Sequence, residues 1–269
     1  MRIVIVGRRS FVAGRVGPCA ANAGLEVISL AHDTPLESVL RPDDTAINFS
    51  LHPDYRSKPY DAGKDCDLAV ALASRKAGAR FVMLSTRRVY PEADRWGAVE
   101  TSAATGDETA YGKNKARTEA AIRDTMGDDA AILRLSNVFG HEYDATESRR
   151  TFFAQALTSL KKHGRIVLDM NPRTRRDFVP VDRCAAAIVA VASSRKSGIF
   201  NVGCGFPVAC GDLAQWVIDG FGSGEIAVVD NGVRDEFFLN VGKWRAAFGE
   251  LVGHAELQSS CEELGRRLR

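Results

Sequence analysis

Short β-branched apolar runs alternate with helix-length periodic segments through the first half of this chain, and that rhythm restricts its fold more than any other feature. Residues 3–6, 27–30, 45–49, 80–84 and 130–135 read as strands, and helices fit around 12–23, 61–77 and 108–126. The alternation predicts right-handed βαβ units and hence a parallel sheet. Ile3-Val4-Ile5-Val6 and Phe81-Val82-Met83-Leu84 contain no interleaved polar residue, as strands covered by helices on both faces require.

The 269 residues, 45% of them hydrophobic, suffice for one large core or for a core with a smaller lobe. After about residue 140 the rhythm loosens into a polar stretch at 141–150, a basic turn at 171–176 and glycines at 203, 205, 211, 220, 222 and 224. Lys and Arg total 36 against 34 Asp and Glu, so a net charge of +2 exerts no long-range pull toward nucleic acid or an anionic membrane. Any anionic ligand must be held by local groups. Cys19, Cys66, Cys184, Cys204, Cys210 and Cys261 show no CxxC or Cys/His spacing, which argues against a zinc site and a disulfide framework and fits a reducing cytoplasm. Only four apolar residues follow Met1 and Arg2, too few for a signal-peptide core, and no run approaches a membrane span. The expectation is a cytoplasmic protein without metal, membrane or nucleic-acid partner.

Residues 4–14 run from a strand through Gly7-Arg8-Arg9-Ser10 into a helix. Backbone N–H groups and a helix N-terminus at such a turn can hold a pyrophosphate. Gly7 would make the tight turn, while Ser10 and Ala13 stand where a spacing-three glycine pattern has its other members. The second strand ends at Leu30 and is followed by Ala31, where a carboxylate for a ribose 2′-hydroxyl is usual. Arg8 and Arg9 suit a 2′-phosphate instead, because a planar guanidinium pairs bidentately with phosphate oxygens. The alternative leaves both arginines solvated, with Asp33 serving the ribose.

Tyr111 and Lys115 stand four apart at the start of a helix and so share one face. An ammonium near a phenol stabilises the phenolate, which suits proton exchange with a sugar oxygen, and Lys115 can also hydrogen-bond a nicotinamide ribose. Upstream, a strand ends in Ser85 and Thr86, at the strand terminus where parallel sheets bind ligands. There Thr86 can hold the reacting oxygen, or both hydroxyls can simply cap the strand end.

Taken together and in order, these motifs resemble the extended short-chain dehydrogenase/reductase family of nucleotide-sugar epimerases, dehydratases and reductases. The resemblance spans the Gly7 loop, Leu84-Ser85-Thr86 with Val89-Tyr90, Tyr111 to Lys115, 133–140, 176–182 and 198–203. It implies an α/β Rossmann-type doubly wound parallel sheet with a smaller C-terminal substrate-binding lobe. The dinucleotide-binding domain is expected over 1–165 and the lobe mainly over 166–269, with 177–203 returning to the core. Thr86, Tyr111 and Lys115 take the catalytic positions. The cofactor set is Gly7, Arg8, Arg9, Ser10, Phe11, Val12, Ser85, Tyr111 and Lys115. The substrate set is Arg87, Asn137, Arg176 and Arg234, with Asn137, Arg176 and Arg234 at the nucleotide diphosphate; a salt bridge from Arg176 to Asp177 or Asp182 is the competing reading.

Departures from the family are equally specific. Pro180 replaces a frequent histidine, and the C-terminal lobe is short. Arg87 and Arg88 follow Thr86 where dehydratases carry an acidic pair, so dehydration lacks its acid and base. The expected protein is an NAD(P)-dependent enzyme of nucleotide-sugar metabolism, binding NADP(H) in preference to NAD(H), that reduces a 4-keto nucleotide sugar. The alternatives are an epimerase with tightly bound cofactor, a reductase of a small non-nucleotide carbonyl, or a non-catalytic dinucleotide sensor. A homodimer through the helices at 61–77 and 108–126 is implied by the resemblance. His141 and Cys184 have no role in this scheme.

Overall fold

The apolar runs become one sheet of six parallel strands in a computed structural model that describes residues 1–141, 152–229, 232 and 234–269. All but the first residue of the polar stretch at 141–150 lie outside the described residues. The strands are β1 (Arg2–Val6), β2 (Glu26–Leu30), β3 (Asp44–Asn48), β4 (Arg80–Thr86), β5 (Ala130–Leu135) and β6 (Gly198–Val202). Their spatial order is β2-β1-β3-β4-β5-β6, with every neighbouring pair parallel. The helices are α1 (Ala13–Asn22), α2 (Cys66–Ala77), α3 (Ala110–Met126), α4 (Phe152–His163), α5 (Val181–Ser194), α6 (Cys210–Phe221), α7 (Gly242–Phe248) and α8 (His254–Arg266).

Successive strand residues face opposite sides, and both sides are buried. Ile3, Ile5, Ile47, Val82 and Leu133 pack with Ala13, Val16 and Ala20 of α1 and Cys184 and Ile188 of α5. Val4, Val6, Ala46, Phe81, Met83 and Ile132 pack with Val70 and Ala71 of α2 and Ile122 and Met126 of α3. This doubly wound, Rossmann-type arrangement explains why the central runs contain no alternating polar residue. Cys184, without a role at the sequence level, is a fully buried core residue.

Helix boundaries follow capping chemistry. Asp65 accepts from Leu68 N at 3.1 Å and starts α2, whereas Asp61 caps a separate 3-10 turn at Ala62–Lys64. The segment expected as one helix over 61–77 is therefore split. Thr109 accepts from Gly112 N at 3.1 Å and starts α3 just before Tyr111.

From β1 the chain passes to β2 on one side and then to β3 on the other, so a crevice opens beyond the carboxyl end of β1. Residues 31–43 add no strand beyond β2, which remains the edge. Strand β6 joins the sheet beside β5, and α5 packs against α1. In the C-terminal part α6 and α8 touch backbone to backbone: a Cβ at Gly220 would collide with the Glu262 carbonyl, and one at Gly265 with that of Val217. A short parallel pair, Arg165–Leu168 with Glu225–Val228, lies in the same part. Among the described residues no helix is long and apolar enough to cross a membrane.

Candidate active site

The crevice beyond β1 is lined first by the Gly7 loop. Gly7 has φ +88°, and a Cβ there would stand 2.9 Å from the Ser50 backbone nitrogen. Only glycine fits both the conformation and the space. Gly7 N and Arg8 N donate to the Leu30 carbonyl at 3.0 and 3.1 Å, which ties the loop to the end of β2, and Ser10 N closes the turn onto Gly7 O at 3.1 Å. No side chain caps α1, and among the described residues the N–H groups of Phe11, Val12 and Ala13 find no acceptor. The Ser50 hydroxyl, beside Gly7, is buried and equally unpartnered among them. Open N–H groups at a helix N-terminus, a glycine that a ligand can approach and an unspent hydroxyl fit the pyrophosphate of a dinucleotide. Arg8, Arg9, His32 and Asp33 are exposed around this loop, and Ala31 is half-buried.

At the carboxyl end of β4, the buried Lys115 ammonium donates to Asp67 Oδ2 at 2.6 Å and to the Leu84 carbonyl at 2.9 Å. This second bond fastens α3 to the strand that ends in Thr86, and Tyr111 lies one turn earlier on the same helix face. Tyr111 is half-buried between two residues of the 3-10 turn Pro53–Arg56: the Tyr55 ring meets it edge-on at 6.4 Å, and the Arg56 guanidinium lies 5.1 Å above its centroid. Burial opposes the charge on Lys115, but Asp67 and then Tyr111 hold the ammonium above its ordinary pKa. Burial likewise pushes Tyr55 well above the usual phenol range, so Tyr55 keeps its proton and bonds Thr118. The half-buried Thr86 hydroxyl accepts from Arg88 N at 3.3 Å.

Ser85, expected at the cofactor, lies with its hydroxyl against α3. Alternation puts it on the same sheet face as Phe81 and Met83, where its hydroxyl donates to buried Glu119 of α3. Glu119 also takes Arg134 Nη2 at 2.7 Å, and the Arg134 guanidinium lies 4.7 Å from the Tyr90 ring centroid. That network binds α3 to β4 and β5.

Two of the arginines expected at the substrate, Arg87 and Arg176, converge with Arg95 on Asp235, a residue that sequence reasoning did not select. Asp235 accepts two bonds from Arg87, at 2.9 and 2.5 Å, and one from Arg95 at 2.9 Å. Arg176 Nε donates to the Asp235 carbonyl at 2.9 Å, with Nη2 3.8 Å from the carboxylate. Burial would raise the Asp235 pKa, but Arg87, Arg176 and Arg95 hold it at about 2. The expected alternative partners of Arg176 are corrected by this geometry: Asp182 faces Arg15 at 3.6 Å, and buried Asp177 accepts backbone N–H bonds from Cys204, Gly205 and Leu239. Arg87 is buried and stacks 3.9 Å from the Phe237 centroid, so its charge is shared with Asp235. Arg234 is exposed next to this hub, and Asn137 is half-buried at the start of the short strand Asn137–Phe139.

Asp67, Asn48, Arg56, Arg95 and Asp235 are thus the polar residues that sequence motifs missed. The available signal was an aspartate at the start of a helix that follows a central strand, but its partner in α3 is set by packing.

Residues 60–203 match a profile described as the NAD dependent epimerase/dehydratase family. Comparison with curated proteins yields no match. Among solved structures, the chain is similar to the UDP-N-acetylglucosamine 4-epimerase from Methanobrevibacter ruminantium M1 in complex with UDP-N-acetylmuramic acid. The identity is 16% and the TM-score 0.81, over 98% of this chain and 97% of that one. It is similar also to the UDP-glucose 4-epimerase of Thermus thermophilus in complex with NAD, at 19% identity and a TM-score of 0.76, over 99% of both chains. An NAD dependent NDP-hexosamine 5,6-dehydratase of tunicamycin biosynthesis shares 17% identity with a TM-score of 0.75, over 98% of this chain and 96% of that one. Identities this low establish a shared fold.

Proposed function

This chain belongs to the NAD dependent epimerase/dehydratase family, and from that premise we propose that it is a nicotinamide-dependent enzyme that reduces a 4-keto nucleotide sugar. The observation that carries the reading is the placement of Lys115 at the end of β4, one turn from Tyr111. A nicotinamide dinucleotide bound in the crevice supplies the hydride. The residues do the rest. N–H groups of Phe11, Val12 and Ala13 receive the pyrophosphate, with Gly7, Arg8, Arg9 and Ser10 shaping the loop around it. Lys115 offers its remaining N–H to the nicotinamide ribose. Thr86 orients the sugar carbonyl oxygen, and Tyr111 gives that oxygen its phenolic proton as the carbon is reduced. Lys115 stabilises the resulting phenolate until solvent returns the proton. Asn137, Arg176 and Arg234 receive the nucleotide diphosphate and Arg87 serves the substrate beside them, where the hub around Asp235 supplies three guanidinium groups against one carboxylate.

NADP(H) is the proposed cofactor, because Ala31 leaves the 2′-position without a carboxylate while exposed Arg9 offers a cation. Replacement of two loop glycines by Ser10 and Ala13 favours an exchangeable cofactor and hence net reduction over epimerisation. The epimerase alternative is favoured by the similarity to two 4-epimerases. A pure dinucleotide sensor would have no use for the Tyr111/Lys115 pair. A homodimer is proposed on the outer faces of α2 and α3, where Leu72 is exposed.

The test is to purify the protein, assay it for retained dinucleotide, and follow absorbance with a 4-keto nucleotide sugar and NADPH. Stoichiometric NADPH loss supports the reductase. Retained cofactor with sugar interconversion and no net oxidation makes it an epimerase.

A further inference from the structure

Lys115 and Asp67 are both buried, their side chains 6% and 3% exposed, and the pair is one link in a longer chain. Asn48 donates to Asp67 Oδ1 at 2.8 Å and is itself bonded twice to the Ser50 backbone, donating to its carbonyl at 3.1 Å and accepting from its N–H at 3.0 Å. Ser50 is the residue packed against Gly7. A hydrogen-bonded path therefore runs from Ser50, packed against Gly7, through Asn48 and Asp67 to the ammonium one turn from Tyr111.

We propose that Asp67 is a positioning residue, which keeps the Lys115 ammonium charged and fixes the direction of its one remaining N–H. The assignment rests on the cofactor reading above. Two of the three ammonium protons go to Asp67 and Leu84 O, so the third has a single direction left. A lysine this deep loses its proton readily without an anion beside it. The groups facing it are Asp67 and Cys66 from α2, with Asp65 at the cap of that helix beside Asp67, Tyr55 from the turn at 53–56, Tyr111 from its own helix, and from β4 the Leu84 carbonyl. Asp65 already bonds Thr118 and Tyr60, and it does not replace Asp67.

The experiment uses NADH and NADPH as probes on the intact wild type, Asp67→Asn and Asp67→Glu, by fluorescence titration and thermal melts from pH 6.5 to 9.5. Wild-type affinity should be flat with pH. Asp67→Asn should bind about tenfold more weakly at pH 7, the effect expected for a misaimed charged hydrogen bond, and should weaken further as pH rises; Asp67→Glu should recover most of the loss. The melts carry the opposite slope. A buried lysine that deprotonates on folding gains stability as pH rises toward its unfolded value, so the deficit of Asp67→Asn should shrink at high pH. Equal binding of both dinucleotides by wild type and Asp67→Asn at every pH, with only the melts altered, overturns the positioning role and leaves the cofactor reading intact. A wild type that binds neither dinucleotide overturns both.

Discussion

The Gly7 loop and the Lys115 pocket lie at the same end of the sheet and treat their polar groups in opposite ways. The loop leaves three backbone N–H groups and one buried hydroxyl without partners among the described residues. In the pocket, Lys115, Asp67, Asn48 and Tyr55 are bonded to one another or to neighbouring backbone and side chains. The difference fits the roles proposed for each. A diphosphate brings its own charge, so its site needs open donors. A proton relay must be oriented before the substrate arrives, and a buried charge without its partner costs several kcal/mol.

The largest test of this contrast is Tyr111→Phe. Removing one hydroxyl from the preorganised pocket should lower turnover by about 10²–10⁴-fold while dinucleotide binding survives. Steady-state kinetics with near-normal turnover would remove Tyr111 from the reaction.

Gly7→Val attacks the open loop instead. At φ +88°, with Ser50 N only 2.9 Å from the new Cβ, the variant should lose dinucleotide affinity by roughly a hundredfold and fold stability by about 1–3 kcal/mol. Titration and melting measured together separate the two effects. Wild-type affinity in this variant would place the cofactor elsewhere.

The arginine hub lies between the two extremes, since three cations share one carboxylate. With its pKa held at about 2, against 3.8 for an unperturbed group, Asp235 contributes stability that is present above pH 4 and lost as pH falls toward 2. That contribution is roughly 2 kcal/mol. Asp235→Asn should be less stable at neutral pH and lack this acid-dependent loss in denaturant titrations from pH 2 to 7. An unchanged acid limb would show that the hub is not coupled to folding.

The smallest effect is expected at the rim. Arg9→Ala should reduce any NADPH preference by about tenfold or less, the scale of one charged hydrogen bond at an exposed site. If the unmodified protein binds NADH better than NADPH, Asp33 serves the ribose and the preference is reversed.

Much of the architecture is legible along the chain. The run at 3–6 is a strand because its β-branched residues, buried on both sides, leave no amphipathic alternative, whereas 27–30 is a half-buried strand at the sheet edge. The helix expected at 108–126 begins at Ala110, where Thr109 supplies the cap. The break inside 61–77 was less visible, since two aspartates four residues apart can each start a helical turn and only packing selects where the longer one begins. In the site, the one-turn spacing of Tyr111 and Lys115 fixed the helix face that they share. The bond from Ser85 to Glu119 was not legible, because the strand's alternation decides which of two adjacent hydroxyls faces α3.

What the sequence by itself determined is local: the strand and helix periods, the glycine that a left-handed turn beside another backbone demands, and the helical face shared by Tyr111 and Lys115. Such features arise between residues a few positions apart, where covalent geometry limits the choices. Only the tertiary structure decided which charges meet. Asp67 lies 48 residues from Lys115 and Asp235 lies 148 from Arg87, yet each pair is within hydrogen-bond distance. Coulombic and hydrogen-bond partners act over a few ångströms of space, and the order of strands in the sheet brings those positions together.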